Sequence, residues 1–527
     1  MHPVETFELI IGMFVAVLVL QYAAARLRLP PAVALLVGGG ALAFVPGLPP
    51  VKLDPELVLV IFLPPLLMDG AWFTALAPFR RHLLGITSLA VGAVLFTAFV
   101  VAFVAKQVML DLPWAACVVL GAIVSPPDAV SARAILQRVK LPRRLSTLLE
   151  GESLLNDATG LVLFRFAVAA VLTGTFSIGE AVGTFAVLVG GGLLVGGAIG
   201  AVWALLLRRL RDDYLMIAAS VLVCWVSYLA AEAVHVSGVV ATVTAGLVCG
   251  WYQHVILTAS VRLRSVAFWQ VLIFLLEAAV FILIGLSLRD LIDRVGGIGV
   301  VIGDFAWPVA AVVATMTIAR FAWIFGADAL LAILGRRGWR GVQPLGAPAA
   351  SVMSWAGMRG VVTLAAALSV PEKMPGRDLM LVTAFAAILV TVLVQGTTLG
   401  QVIRWAGLRE DERARPPLDL FAAEAAMLQA QYAAVEREAI GPDGSLLHPR
   451  LLDSYRRRAT ISAEFPGTDE ERDESIAAHF DVVLSAVAAG RAELVRLHRA
   501  RQIDDETLHD LERHLDLEEL AAIAAKG

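Results

Sequence analysis

The sequence predicts an all-α, polytopic membrane protein that ends in a helical domain outside the membrane. Of its 527 residues, 58% are apolar and only 17% are charged, which is too little charge to cover a soluble protein of this length. Long apolar stretches recur from the N-terminus to about residue 405. Because lipid cannot hydrogen-bond free backbone groups, these stretches are predicted to be helices.

Thirteen apolar stretches, numbered as spans 1 to 13, are long enough or nearly so to cross a bilayer of about 30 Å as helices. They are residues 6–25, 30–47, 54–74, 83–106, 112–136, 145–173, 179–207, 213–233, 236–252, 266–288, 299–333, 347–370 and 379–405. The short connections on one side hold sixteen Lys and Arg, and those on the other hold six. The positive-inside rule then predicts a cell-membrane protein with its N-terminus outside the cell and its C-terminus in the cytoplasm.

The charge balance divides the chain into a transmembrane domain, residues 1–409, and a tail, residues 410–527. The tail holds 14 Lys and Arg against 25 Asp and Glu, a net charge of −11, whereas the first domain has a net charge of +7. Apolar periodicity in the tail predicts four amphipathic helices, at residues 418–440, 446–464, 471–500 and 503–522. We expect a regulatory or dimer-stabilising domain, and a plain solvated helical appendage is the alternative.

Two spans are interrupted in the middle of the membrane. Pro126 and Pro127 break span 5, and Gly357 and Gly360 flank Arg359 in span 12. These spans are each the fifth of a six-span half, spans 1–6 and spans 8–13. Paired breaks at matching positions predict an inverted-repeat transporter with its site near the membrane midplane, although Pro and Gly kinks are also common in ordinary membrane helices.

Span 6 collects four polar side chains on one helical face. At 100° per residue, Glu152, Asn156, Ser153 and Asp157 fall within a sector of about 140°. Carboxylates inside a bilayer are costly and seldom occur without a partner. A structural ion pair accounts for one carboxylate, but not for two together with an amide and a hydroxyl.

The possible partners are the other ionisable residues within the spans. They are Asp69 in span 3, Asp128 in span 5, Glu277 in span 10, Arg320 in span 11 and Arg359 in span 12. A guanidinium can hold a carboxylate by two parallel hydrogen bonds, so we predict that Arg320 pairs with Glu152. Asp157 then lacks a permanent cation and must hold either a proton or a metal ion.

These segments resemble a known family. GESLLNDATGLVLF (151–164) is similar to the signature of sodium/proton exchangers in the monovalent cation:proton antiporter superfamily. FLPPLLMDGAW (62–72) and SWAGMRGVVTLAAALSVP (354–371) resemble two further motifs of these exchangers, and the tail segment at 491–519 resembles the C-terminal region of their bacterial branch. The four segments occur in the family's order.

The resemblance implies a homodimer in which a core domain with two crossing broken helices moves, elevator-like, against a dimer-interface domain. It implies a transporter that is not an enzyme and uses no cofactor or nucleic acid. It also assigns Asp157 as the residue that binds the proton or the ion, with Ser153 as a nearby oxygen ligand. Asn156 is the neighbour typical of electroneutral members, and Asp128 matches the aspartate of the span-5 motif.

The same resemblance gives Glu152 and Arg320 a structural role as an ion pair, and it makes Arg359 the cap of half-helix carbonyls. The chain departs from the family where Pro127 replaces a usual threonine. Ser125, or the carbonyls freed by the two prolines, is then expected to replace that oxygen ligand.

Two acidic residues are less closely tied to the site. Asp69 stands where glutamate is common in the family and is one methylene shorter. Glu277 is an accessory acid that either tunes the pH response or is a hydrogen-bonded acid within the protein.

We predict that Na⁺ or Li⁺ competes with H⁺ for Asp157, because hard cations prefer oxygen ligands and a buried carboxyl holds its proton firmly. With Asn156 neutral, exchange is expected to be electroneutral, one ion for one proton. A K⁺/H⁺ antiporter is the alternative, and a cation channel is a remote one. An intramembrane hydrolase using Asp128 and Asp157 is a further class, but its signatures are absent from the sequence, as is an ATP-binding loop.

Overall fold

The fold is helical nearly throughout, as predicted. The computed structural model describes residues 3–27, 29–46, 54–128, 141–174, 178–337, 344–408, 420–439, 446–464 and 469–526. The chain forms two compact units, Met1–Glu410 and Asp411–Gly527. The second half of predicted span 5, residues 129–136, lies outside the described residues.

The first unit consists of packed helices. They are α1 Pro3–Leu27, α2 Pro31–Ala43, α3 Pro55–Trp72, α4 Leu76–Arg81, α5 Leu83–Val108, α6 Trp114–Val124, α7 Arg143–Thr173, α8 Ile178–Leu207, α9 Asp213–Ala233, α10 Gly238–Ile256, α11 Ala259–Leu286, α12 Leu288–Val295, α13 Ile298–Arg336, α14 Ala347–Trp355, α15 Val361–Leu368 and α16 Arg377–Ala406.

Ten candidate membrane spans occur among the described residues, each long and apolar enough to cross a membrane. The other three predicted spans correspond to shorter helices. Span 2 is α2, the described part of span 5 is α6, and span 12 is divided between α14 and α15. The two interruptions predicted from proline and glycine therefore coincide with the ends of helices.

Hydrogen bonds between helices define two sets among the membrane helices. Helices α6, α7, α13, α14, α15 and α16 exchange side-chain and backbone bonds near the two breaks, and we call them the crossing set. The scaffold set, α3 and α8 to α11, is joined by indole N–H groups. These bonds are Trp72 to Gln253, Trp225 to the Val60 carbonyl, Trp203 to the Ala219 carbonyl and Trp269 to Ser220, at 2.9–3.2 Å.

Three helices contain a π-helical stretch. The stretches are Ser88–Ala93 in α5, Val301–Phe305 in α13 and Thr391–Gln395 in α16. The first two occupy spans 4 and 11, which are each the fourth span of a six-span half. Such stretches widen one turn of a helix and are frequent at functional sites.

The second unit consists of two helical hairpins, one of α17 Leu420–Ala439 with α18 Pro449–Glu464 and one of α19 Asp469–Arg499 with α20 Asp505–Lys526. These bounds lie within a few residues of the four amphipathic helices predicted for the tail. Arg491 joins the second hairpin by donating to Asp516 and Glu519 at 2.6 Å.

Glycines on one face of α8 allow its backbone to touch α10. A Cβ on Gly196 would overlap the Ala241 carbonyl oxygen, whereas a Cβ on the next residue, Gly197, would meet nothing within 4 Å. Gly192 and Gly200 lie one turn to either side of Gly196, and both also face α10. Small residues at this spacing permit the close helix contacts that stabilise membrane bundles.

The two neighbouring glycines make a matched test of this contact. We expect Gly196→Ala to force α8 and α10 apart and to cost about 1–3 kcal/mol, the usual cost of overpacking. Gly197→Ala should leave stability equal or slightly higher, because alanine is the better helix former. Thermal unfolding of the detergent-purified variants measures both, and equal midpoints would contradict the close contact.

Candidate functional site

The predicted polar face of span 6 lies on α7 and is buried in the crossing set. Glu152 and Asn156 are buried, Asp157 is 9% exposed and Ser153 is half-buried. The helix begins directly after Pro142, whose ring cannot donate a hydrogen bond and commonly precedes or starts a helix. It then continues for 31 residues without interruption. Its four polar side chains therefore lie on one face of the helix, as the rotation of 100° per residue predicts.

Glu152 and Arg320 form a buried ion pair with two parallel hydrogen bonds. Arg320 Nη1 lies 2.5 Å from Glu152 Oε1, and Nη2 lies 2.9 Å from Oε2. Arg320 Nε and Nη2 also donate to the Met353 carbonyl at the end of α14. Gly357 leaves the room that Arg320 needs, since a Cβ there would lie 2.5 Å from Arg320 Cδ. The pair joins α7, α13 and α14.

The two broken spans meet at their breaks. Helix α6 ends at Val124, α14 ends at Trp355 and α15 begins at Val361. Within the unwound segments, the Asp128 amide donates to the Met358 carbonyl at 2.6 Å. Each break thereby supplies a backbone partner to the other, in a region where lipid could supply none.

Arg359 caps the end of α6. Its Nε donates to the Val124 carbonyl at 2.7 Å and its Nη2 to the Ser125 carbonyl at 3.4 Å, while Nη1 contacts the Gly357 carbonyl. The last carbonyls of a helix carry partial negative charge, which the buried guanidinium neutralises. The side chain thus connects the break of span 12 to the break of span 5.

Asn156 on α7 forms a second side-chain contact with the unwound segment of span 5. Its Nδ2 donates to the Pro127 carbonyl at 2.5 Å, and the whole residue has no exposed surface. Its Oδ1 accepts no hydrogen bond from the described residues. The carbonyls of Val124, Ser125 and Pro127 at the break of span 5 therefore already accept bonds from Arg359 and Asn156.

Asp128 lies against the start of α15. A Cβ on Gly360 would overlap Asp128 Oδ2, so only glycine fits beside this carboxylate. A negative charge at the first residues of a helix is favourable, because the free amides there carry partial positive charge. Arg359 and Asp128 thus match opposite charges to the ends of two half-helices.

Asp157 differs from Glu152 in lacking a cationic partner. Within the described part of the chain, its carboxylate forms no ion pair and no hydrogen bond. Asp128 is close enough for the two carboxyl groups to interact electrostatically. No group of three His, Cys, Asp or Glu residues suited to a metal ion is found among the described residues, so any cation at Asp157 would need hydroxyl, carbonyl or water oxygens as well.

The remaining predicted residues are distributed around this centre. Ser125 is buried beside the α6 cap, and its hydroxyl lies 3.4 Å from the Ala122 carbonyl. Asp69 is half-buried near the end of α3, and Glu277 is half-buried within α11. Both of these helices lie outside the crossing set.

Two further interactions near the site, besides the bond from Asn156 to the Pro127 carbonyl, were not predicted. Thr391, in the π-helical stretch of α16, accepts from the Arg359 amide at 3.0 Å. Arg165, two turns beyond Asp157 on α7, pairs with Glu232 on α9 at 3.4 Å. A threonine or a half-exposed arginine within an apolar helix gives little signal in a single sequence, because both are usually structural.

The sequence matches the family model described as sodium/hydrogen exchanger, transmembrane, over residues 11–405. The chain belongs to the sodium/hydrogen exchanger family. It is therefore a membrane transporter and not an enzyme, in agreement with the resemblance of its motifs.

Relatives of this exchanger span most of its length. A Na⁺/H⁺ exchanger of Mycobacterium bovis is 33% identical over 97% of this chain and 95% of its own. A sodium, potassium, lithium and rubidium/H⁺ antiporter of Bacillus pumilus is 30% identical over 89% of this chain and 71% of its own. The Na⁺/H⁺ antiporter NhaH of Halobacillus dabanensis is 33% identical over 67% of this chain and 83% of its own.

The fold of the exchanger also has a solved counterpart. The sodium proton antiporter MjNhaP1 from Methanocaldococcus jannaschii superimposes with a TM-score of 0.58 at 19% sequence identity, covering 76% of this chain and 99% of that one. The antiporter fold is thus shared although most side chains differ.

The buried ion pair gives a prediction for stability. We expect Glu152→Gln or Arg320→Met alone to destabilise the exchanger by about 3–5 kcal/mol, because each leaves one charge buried and unpaired. The double variant should be less destabilised than either single variant. Asp290→Asn, which removes the exposed Arg294–Asp290 pair, should cost less than about 1 kcal/mol.

Thermal midpoints from size-exclusion chromatography of heated samples provide the comparison. Additive losses in the double variant would show that the two residues act separately and would contradict the predicted coupling.

Proposed function

We propose that this exchanger carries Na⁺ or Li⁺ across the cell membrane in exchange for H⁺, with both ions competing for Asp157. The observation that supports this most is the contrast between two carboxylates on one helix. Glu152 has its arginine, whereas Asp157 has no cationic partner among the described residues. A bare carboxylate inside a membrane is costly, so its charge has to be covered by a proton or by a cation.

The groups around Asp157 suit an alkali cation. Na⁺ prefers hard oxygen ligands, and Asp128, Ser153 and Ser125 offer carboxylate and hydroxyl oxygens on α7 and at the adjoining break. Protonation of Asp157 removes the charge that attracts the cation. Binding of one ion therefore excludes the other, which is the requirement for exchange.

A stoichiometry of one proton for one cation follows from the neighbour of Asp157. Asn156 carries no charge, and its amide is committed to the Pro127 carbonyl. The site then alternates between one bound proton and one bound monovalent cation, so a full cycle moves no net charge.

The names of the relatives give two alternatives for the transported alkali cation, Na⁺ or K⁺. The relative from Halobacillus is named for Na⁺ alone, and the relative from Bacillus pumilus for sodium, potassium, lithium and rubidium. We propose Na⁺ or Li⁺ as the cation, and K⁺/H⁺ exchange by the same site is the alternative. A cation channel is disfavoured by membership of an antiporter family.

The division of the helices supports an elevator-type cycle. Asp157 and both breaks belong to the crossing set, whose hydrogen bonds tie it into one body, and the indole bonds tie the scaffold set into another. Arg165 on α7 and Glu232 on α9 join the two sets by an ion pair with side chains 56% and 34% exposed. The contact is a single 3.4 Å pair near the end of α9, so it can open and close as the crossing set moves.

The assembly and orientation follow the same hypothesis. The distribution of Lys and Arg supports an N-terminus outside and a cytoplasmic C-terminus. A homodimer would provide the fixed frame against which the crossing set moves. We propose that the acidic tail, the second compact unit, regulates transport or stabilises the dimer.

Transport by purified protein in vesicles tests the assignment of Asp157. With a pH-sensitive dye inside, an imposed Na⁺ or Li⁺ gradient should move protons, and clamping the membrane potential should leave the rate unchanged. Asp157→Asn should abolish exchange because asparagine cannot take up a proton and lacks the negative charge that attracts the cation. Glu150→Gln, which changes an exposed carboxyl on the same helix, should retain it. Exchange that persists in Asp157→Asn would refute the proposal.

A cross-link between the two helix sets tests the movement. We expect Arg165→Cys/Glu232→Cys, treated with a short bifunctional maleimide, to lose at least about nine-tenths of its exchange activity, because the crossing set could no longer move past α9. Each single cysteine variant treated in the same way is the control. Full activity in the cross-linked protein would rule out relative motion at this contact.

A further inference from the structure

Thr391 makes a hydrogen bond to the break of span 12 and has no role in the proposed function so far. It starts the π-helical stretch of α16 and is fully buried, 1% exposed. Its hydroxyl donates to the Ala387 carbonyl at 2.6 Å, as threonines in helices often do. The same oxygen accepts a hydrogen bond from the Arg359 amide at 3.0 Å.

The backbone amide of Arg359 has the side chain of Thr391 as its hydrogen-bond acceptor. Arg359 lies in the unwound segment between α14 and α15, where no helical carbonyl four residues earlier is in place to accept its N–H. A buried amide without an acceptor is costly, so the backbone at Arg359 is held where Thr391 provides one.

The arrangement mirrors the bond made by Asn156 at the other break. Asn156 follows its bonding partner Pro127 by 29 residues, and Thr391 follows Arg359 by 32. In each half, the span after the broken one sends a polar side chain to the unwound backbone. In span 6 that side chain binds a carbonyl, and in span 13 it binds an amide.

We infer that Thr391 is a positioning residue for the cation site, an inference that rests on the proposed function. The hydroxyl fixes the backbone of Arg359, and the Arg359 guanidinium fixes the Val124 and Ser125 carbonyls at the end of α6. Those carbonyls immediately precede the segment that carries Asp128. Thr391 therefore acts on the spacing of the oxygen ligands around Asp157 without touching the ion.

Replacing the hydroxyl with a methyl group of equal size tests this chain of contacts. We expect Thr391→Val to raise the KM for Na⁺ by about tenfold, the effect of losing one buried hydrogen bond. It should also change the ratio of the KM values for Na⁺ and Li⁺, because the ligand spacing changes. Thr391→Ser keeps the hydroxyl and should restore both values.

Thr397 supplies the matched control on the same helix. Its exposed hydroxyl bonds only to carbonyls of α16 itself, Leu393 and Val394, so Thr397→Val should leave both KM values unchanged. The Na⁺-to-Li⁺ ratio is measured within one vesicle preparation and does not depend on how much protein is folded. Thr391→Ala serves in the same way if the valine variant does not fold.

The outcomes separate this inference from the proposed function. A wild-type protein without cation-driven proton movement would refute the function itself. Wild-type exchange together with an unaltered KM ratio in Thr391→Val, or in the alanine variant, would refute the positioning role alone. A serine variant as altered as the valine variant would do the same.

Discussion

Backbone groups at the two helix breaks have to find partners inside the protein, since the membrane interior offers none. This requirement accounts for the arrangement of the crossing set. Arg359 takes the carbonyls at the end of α6, Asn156 takes that of Pro127, and Thr391 takes the amide of Arg359 itself. These specific donors and acceptors help the unwound backbone to persist at this depth. The proposed ion site lies beside that framework.

The framework also explains why two carboxylates five residues apart on one helix, Glu152 and Asp157, have different surroundings. Glu152 faces Arg320, which is further fixed by the Met353 carbonyl and fits only because position 357 is glycine. Its charge is permanently matched and joins three helices. Asp157 faces the break instead, near Asp128 and away from both arginines that are committed elsewhere. This contrast between a paired and an unpaired carboxylate among the described residues is the basis of the proposed ion site.

Much of this organisation could be predicted from the sequence because the physical signals are strong. Apolar stretches of bilayer length, a double proline and a glycine-flanked arginine mark the helices and their interruptions. The carboxylates of span 6 and the arginine within span 11 were enough to suggest the pair of Glu152 and Arg320, which the family resemblance also implies. Family resemblance adds the role of Arg359 as a cap of helix carbonyls.

The remaining contacts depend on how helices that are distant in sequence pack against each other. The acceptor for Asn156, the bond from Arg359 to Thr391 and the pair of Arg165 with Glu232 could not be predicted for this reason. The sequence suggested that the carbonyls released by Pro126 and Pro127 would face the cation. The carbonyls of Val124, Ser125 and Pro127 also accept hydrogen bonds from the side chains of Arg359 and Asn156, which the sequence did not reveal.

The contact between Gly360 and the Asp128 carboxylate limits how this exchanger can change. Every other amino acid carries a Cβ, and that atom would occupy the volume of Asp128 Oδ2. Any replacement at position 360 therefore has to displace the Asp128 side chain from the start of α15. A substitution at this glycine thus acts on the exchanger through the position of that carboxylate.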